Sequence, residues 1–115
     1  MGEQCIFCKI IAKETTADIA YEDDLVVAFH DINPQAPLHL LVVPKEHIPS
    51  LNDVTEAHAK IMGHIPVVAK EITKKNGLAE DGWRLVINCG PDAKQTVFHL
   101  HAHILGGRPM SGHMA

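Results

Sequence analysis

The run Phe98-His99-Leu100-His101-Ala102-His103-Ile104-Leu105 places a histidine at every second position and closes on Gly106-Gly107. Strict alternation has one regular solution. A strand turns successive side chains to opposite faces, so the three imidazoles share one face and Leu100, Ala102 and Ile104 the other. Same-face neighbours on a strand lie about 6.5–7 Å apart, so one phosphate-sized group spans two or three rings. Imidazole changes charge near neutral pH, attacks electrophiles and ligates metals. The fold therefore has to seat one face of this strand on a core and leave the other for chemistry, as an active site or a metal site.

The 115 residues suffice for one domain, 1–115, with a core of its own. One Trp, one Tyr and three Phe leave packing to Ile, Val and Leu. A formal charge of −4 excludes general DNA or RNA binding, which needs a basic surface. A nucleotide would be bound here as a small molecule. No stretch approaches the ~18 apolar residues of a membrane span. Residues 1–5 lack a basic segment before an apolar one, and Ile6 stands where a myristoylation signal has Ser or Thr, so neither leader nor acyl anchor is expected. Three cysteines, two of them in Cys5-x-x-Cys8, suit a reducing compartment and a metal or redox role. The expected location is the cytoplasm.

Apolar spacing predicts a short helix over 6–13, strands over 19–22 and 25–30, and a rigid loop at Asn33-Pro34-Gln35-Ala36-Pro37. A nearly continuous apolar strand follows over 38–43, broken only by His39 and ended by Pro44. Asn52 or Asp53 is read as the cap of a long helix over 54–76, kinked at Pro66 or divided there into two helices sharing one face, and closed by Gly77. Strands are expected over 83–89 and 95–105, and the 109–115 tail is read as short and mobile. Short strands with tight connections and one long helix indicate an α+β fold, a sheet of about five antiparallel strands. The free edge of such a sheet suggests a homodimer.

A three-histidine metal site wants a carboxylate or a fourth histidine. The histidine strand holds no Asp or Glu, whereas Asn88, Gln95 and Thr96 supply hydrogen-bond donors beside it. The reading that results is a nucleophilic site. Cys5-x-x-Cys8 reads as a pair of packing thiols or, more sharply, as half of a structural zinc site completed by histidines. A thioredoxin-like pair is disfavoured, because no βαβ pattern surrounds it. Cys89 is read as a buried packing thiol, and His58, His64 and His113 are assigned no function.

His99-Leu100-His101-Ala102-His103-Ile104-Leu105 resembles the His-φ-His-φ-His-φ-φ signature of the histidine triad superfamily. Ile6-Phe7-x-Lys9-Ile10-Ile11, Glu22-Asp23-Asp24, the 29–39 segment from Phe29 to His39, and Gln95-Thr96-Val97 resemble its Hint branch of nucleoside phosphoramidases, over nearly the whole chain. The resemblance implies a HIT-like fold and cleavage of purine nucleoside 5′-phosphoramidates or acyl-adenylates through a nucleotidyl-histidine. It makes His101 the nucleophile and His103 a phosphate contact. His39 would orient the central imidazole in a relay. Asn88, Gln95, Thr96 and Val97 become phosphate and leaving-group contacts, and Asp31 the ribose ligand. Phe7, Ile10, His30 and Ile32 become walls of a purine slot, though by spacing alone Phe7, Ile10 and Ile32 fit a core equally and Asp31 a turn. The Cys-x-x-Cys variant implies zinc held by Cys5, Cys8, His47 and His99. His99 is then either a zinc ligand or a relay member, and His47 either a ligand or an exposed loop residue. Two departures stand out. Lys94 occupies a position usually held by Gly, and the tail after Arg108 is short, so leaving-group preference stays open. Rival readings are a nucleotide-binding or interaction module with weak hydrolysis, and a dinucleoside polyphosphate hydrolase.

Overall fold

The apolar run at 38–44 forms β3 (Leu38–Pro44), every residue of which is buried. A strand covered on both faces belongs mid-sheet, and β3 lies there in a computed structural model that describes residues 5–114. The elements in chain order are α1 (Ile6–Ile11), β1 (Ile19–Glu22), β2 (Val26–His30), β3, α2 (Ala59–Lys75), β4 (Trp83–Val86) and β5 (Ala102–Gly106). The five strands pair in the order β1-β2-β3-β5-β4, each pair antiparallel. Residues 1–4, read for a leader or acyl signal, and Ala115 lie outside the described residues. Among those described, no helix is long and apolar enough to cross a membrane.

The two faces of β3 do different work. Leu38, Leu40 and Val42 join Val26, Ala28, Leu100, Ala102 and Ile104 against Ile65, Val68, Ala69 and Ile72 of α2. Leu41 and Val43 join Val27 and Phe29 against Phe7 and Ile10 of α1. His39 has the parity of Leu41 and Val43, so it lies on the α1 side. His103 pairs with Leu41 in the β3–β5 register and lies there too. One face is core; the other carries the histidines.

Several boundaries differ from the sequence reading. The histidine strand begins only at Ala102, not at 95, because β4 ends at Val86, the partner of His103. Upstream of that pair the chain has no ladder to join on the β4 side. Leu100 N–H donates instead to the Ile48 carbonyl at 2.6 Å, and the alternation of faces persists without regular strand. Cys89 therefore lies beyond β4 and is half-buried, not a core thiol. The long helix starts at Ala59, not 54. Ahead of it run two 3-10 turns, Leu51–Asp53 and Glu56–His58, capped by Ser50 and Thr55 rather than by Asn52 or Asp53. His58 completes the second cap by accepting from Thr55 N–H at 3.0 Å. Pro66 sits within one unbroken helix. It lies on the exposed side of the helix, where the N–H it lacks would have bonded the Met62 carbonyl. Arg84 ties the tail back by donating to the Ser111 carbonyl at 2.7 Å.

His64 also has a structural task. It donates to Asp23 Oδ2 at 2.6 Å, docking α2 on the β1–β2 turn. Tyr21 OH donates to the same oxygen, and the Leu25 and Val26 amides to Oδ1. Burial opposes the charge, but these four donors more than offset it and hold the Asp23 carboxyl well below the usual range.

Candidate active site and metal centre

Two clusters occupy the α1 face. The first joins β3 to β5: His39 Nε2 and His103 Nδ1 are 2.9 Å apart. The proton between them can be placed. His39 Nδ1 accepts from Gln35 N–H at 3.0 Å, so neutral His39 carries its proton on Nε2 and donates it to His103 Nδ1. Asp31 Oδ2, 3.4 Å from His39 Nε2, favours the same tautomer. His103 then carries its own proton on Nε2, as a free donor. His101 Nδ1–H donates to the His99 carbonyl at 2.8 Å, which leaves the lone pair on His101 Nε2. The His101 and His103 ring centroids are 5.1 Å apart. A donor and a nucleophilic nitrogen thus stand side by side. Burial is the main force keeping His39 and His103 neutral: it lowers His39 against the pull of Asp31, and pushes His103 down to about 4, helped by His101 and His39. The expected relay is corrected in one respect. His39 orients His103, and the His99 main chain orients the central imidazole.

The second cluster has the opposite proton pattern. Cys5 caps α1 and Cys8 lies in its first turn, with Cys8 N–H donating to Cys5 Sγ at 3.4 Å. His99 Nδ1 lies 3.3 Å from Cys5 Sγ, 3.6 Å from Cys8 Sγ and 3.1 Å from His47 Nδ1. Cys8 Sγ and His47 Nδ1 are 3.2 Å apart. Fully buried His99 donates from Nε2 to the Pro44 carbonyl at 2.8 Å, so its Nδ1 lone pair points at the thiols. Burial pushes His99 down to about 4, and burial together with Cys5 pushes the Cys8 thiol up to about 11. A Cys2His2 set whose ligand atoms all lie within 4.8 Å of one another fits tetrahedral zinc, which would take the place of the thiol protons. His47, an alternative loop residue by sequence, is in the set. So is His99, whose Nδ1 faces the thiols rather than His101 or His103.

Asp31, His39 and His103 also bring ligand atoms within 4.8 Å of one another. They do not make a second metal centre. His39 Nδ1 is occupied by an amide donor, so Nε2 holds a proton and offers no lone pair.

Beside the clusters lies a cavity of about 480 Å³ whose lining includes Phe7, Ile10, His30, Asp31 and Ile32, all of them expected there. Ile32 is 91 % exposed and forms a rim rather than a wall. Sequence reasoning missed Ile6, Phe29, Leu41 and the 15–18 segment, whose signal was only a polar connection between α1 and β1. Phe7 links cavity to clusters, its ring edge-on to His101 at 5.1 Å and to His99 at 5.9 Å. At the other end Asn88 and Val97 are half-buried and Thr96 exposed. Gln95 differs from expectation. Its buried amide accepts from Gly90 N–H at 2.9 Å and donates to the Pro49 and Val97 carbonyls at 2.8 and 3.0 Å. Both amide protons are used within the protein, so Gln95 shapes the 90–97 loop instead of meeting a ligand.

One face of the five-stranded sheet thus presents a lone-pair imidazole beside an imidazole donor, an arrangement suited to hydrolytic chemistry. The profile described as "Scavenger mRNA decapping enzyme C-term binding" matches residues 4–114. The purine nucleoside phosphoramidase of Escherichia coli K12 is 48 % identical over 115 residues, which are 100 % of this chain and 97 % of that protein. A HIT family hydrolase from Clostridium thermocellum superposes with a TM-score of 0.95 at 48 % identity, covering 98 % of both chains. The 14 kDa zinc-binding protein of Zea mays is 50 % identical over 108 residues, 92 % of this chain and 84 % of that protein. The chain belongs to the histidine-triad (HIT) family, as a hydrolase of that family.

Proposed function

We propose that this hydrolase cleaves purine nucleoside 5′-phosphoramidates, and acyl-adenylates by the same route, through a nucleotide carried on His101. The observation that supports this best is the placement of protons: a lone pair on His101 Nε2 next to a donor on His103 Nε2. His101 Nε2 attacks the α-phosphorus. The bond from phosphorus to the amine breaks, and the amine leaves with a proton from solvent. Water then attacks phosphorus and the phosphorus–Nε2 bond breaks. The 5′-monophosphate departs and the second water proton returns to solvent. His103 Nε2–H meets the charge that grows on the phosphoryl oxygens, as do Asn88, Thr96 and the Val97 amide. Asp31 takes the ribose hydroxyls, while Phe7, Ile10, His30 and Ile32 bound the purine. Zinc on Cys5, Cys8, His47 and His99 supplies no step; bound there, it pins α1 and His99 as a strut. The unpaired edge of β4 is proposed as the join of a homodimer, and the cytoplasm as its location.

Intact-mass measurement of protein turning over an adenosine 5′-phosphoramidate, denatured rapidly at alkaline pH to preserve a phosphorus–nitrogen bond, tests the reaction. The expected result is an adenylylated chain in the wild type and none in His101→Asn. Turnover that survives in His101→Asn ends the covalent mechanism, and AMP binding without turnover in the wild type favours the binding-module reading.

A further inference from the structure

We propose that Arg108 is a positioning residue for the relay, acting through the Gln35 main chain on the tautomers of His39 and His103. The proposal rests on the reading of His101 and His103 given above. Arg108 Nη2 donates to the Gln35 carbonyl at 2.7 Å, across 73 residues of sequence. Nη1 of the same guanidinium donates to the Pro109 carbonyl at 3.0 Å, which holds its plane near the turn after β5. Gln35 N–H, on the other side of one Cα, is the group that donates to His39 Nδ1 at 3.0 Å. Fixing the carbonyl leaves the amide little freedom, because a single φ/ψ pair separates them. The contact is a built one. Gly107 has φ +102, and a Cβ there would lie 2.8 Å from Pro37 Cβ, so only glycine lets the end of β5 close over the 33–37 loop. The two prolines of that loop stiffen what Arg108 grips.

The consequence lies three hydrogen bonds away. With Gln35 N–H in place, His39 is Nε2-protonated, His103 Nδ1 accepts, and His103 Nε2–H faces outward as a donor. Without it the chain can invert: His103 Nδ1 donates to His39 Nε2, and His103 Nε2 turns a lone pair toward an anionic phosphoryl group. Asp31 at 3.4 Å resists the inversion, so the change is a shift of population. Arg108 itself is exposed and does not line the purine cavity. Substrate binding should therefore change little while the chemical step slows.

The test compares Arg108→Ala and Arg108→Lys with wild type, zinc-loaded, by nitrogen-15 shifts of the histidine rings and by kcat and KM separately. In the wild type both His39 and His103 should show the Nε2–H pattern. In Arg108→Ala their ring shifts should average toward a tautomer mixture. In that variant kcat should fall on the order of five- to tenfold, the worth of one intramolecular hydrogen bond, with KM within twofold. Arg108→Lys should restore most of both, since one carbonyl needs one donor. Unchanged ring shifts in Arg108→Ala overturn the proposal whatever kcat does, and so does a KM that rises in step with the loss of kcat. A wild type that turns over no phosphoramidate defeats the proposed function instead, and the ring shifts still decide the clasp.

Discussion

The two clusters on the α1 face each gather two histidines with other ligand atoms, two thiols in one and a carboxylate in the other, within 4.8 Å, and they differ further in where their protons lie. In Cys5/Cys8/His47/His99 the Pro44 carbonyl takes the His99 proton to the far side of the ring, so lone pairs converge. In Asp31/His39/His103 the Gln35 amide puts a proton between the rings, so donors and acceptors alternate. A metal would satisfy the first arrangement and the proposed phosphoryl group the second. One backbone contact per cluster makes the difference, which distance between ligand atoms alone does not reveal.

The largest effect that separates the clusters is His101→Asn. It should lower turnover on the order of 10⁴-fold by removing the nucleophile, while zinc content and Tm stay near wild type. A parallel loss of zinc would mean that the clusters are one unit. Next comes Cys8→Ser, or removal of zinc by a chelator. Losing a structural ion from a domain that keeps its own core should lower Tm by roughly 10–20 °C in a calorimetric scan. An unchanged Tm would reduce the Cys/His set to ornament on a self-sufficient fold.

Acid should act on both clusters, because burial depresses His99 as it does His103. His103 is depressed to about 4 from an ordinary 6.5, mainly by burial. The unfolded chain therefore takes the proton first. Stability is full above the unfolded value and drains as pH falls from about 6.5 toward 4, with His39 adding in the same sense. The His103 share is roughly 2–3 kcal/mol. Urea titrations at pH 7 and pH 4.5 should show it, and His103→Gln should flatten the difference. No flattening in His103→Gln would place the acid-sensitive group elsewhere.

Much of this was written in the sequence. Alternation named the histidine face and the core face, and Cys5-x-x-Cys8 with His47 and His99 named a ligand set that the fold does bring together. Sequence patterns report which side of an element a residue takes, and they did so even where regular strand failed upstream of Ala102. They do not report which ring nitrogen meets which carbonyl or amide. That depends on single peptides, such as Gln35 in its loop and Pro44 at the end of β3, whose own sequences carry no signal of direction. The same blindness gave His39 to the wrong partner and made Gln95 a ligand contact when its amide was already spent on Gly90, Pro49 and Val97. It also moved the start of the long helix. Val54 continues the apolar period, but Ser50 and Thr55 each cap a short 3-10 turn first.

The smallest effect falls on Lys94, in the loop that the catalytic side uses and the zinc side does not. Lys94 has φ +69, a left-handed conformation that costs a residue with a Cβ about 1–2 kcal/mol. Glycine removes that strain but returns part of the gain as entropy of the unfolded chain, about 0.5–1 kcal/mol. Lys94→Gly should therefore stabilise the protein by about 0.5–1 kcal/mol, seen as a rise of a few degrees in Tm. Lys13 is the internal control. It too is left-handed, at φ +64, but its ammonium pairs with Glu22 at 2.6 Å and repays some of the strain. Lys13→Gly should gain less. If Lys94→Gly also leaves turnover unchanged, the residue is strain the fold tolerates. A changed preference between cationic and anionic leaving groups would instead make the ammonium part of the phosphate loop, and the strain the cost of holding it there.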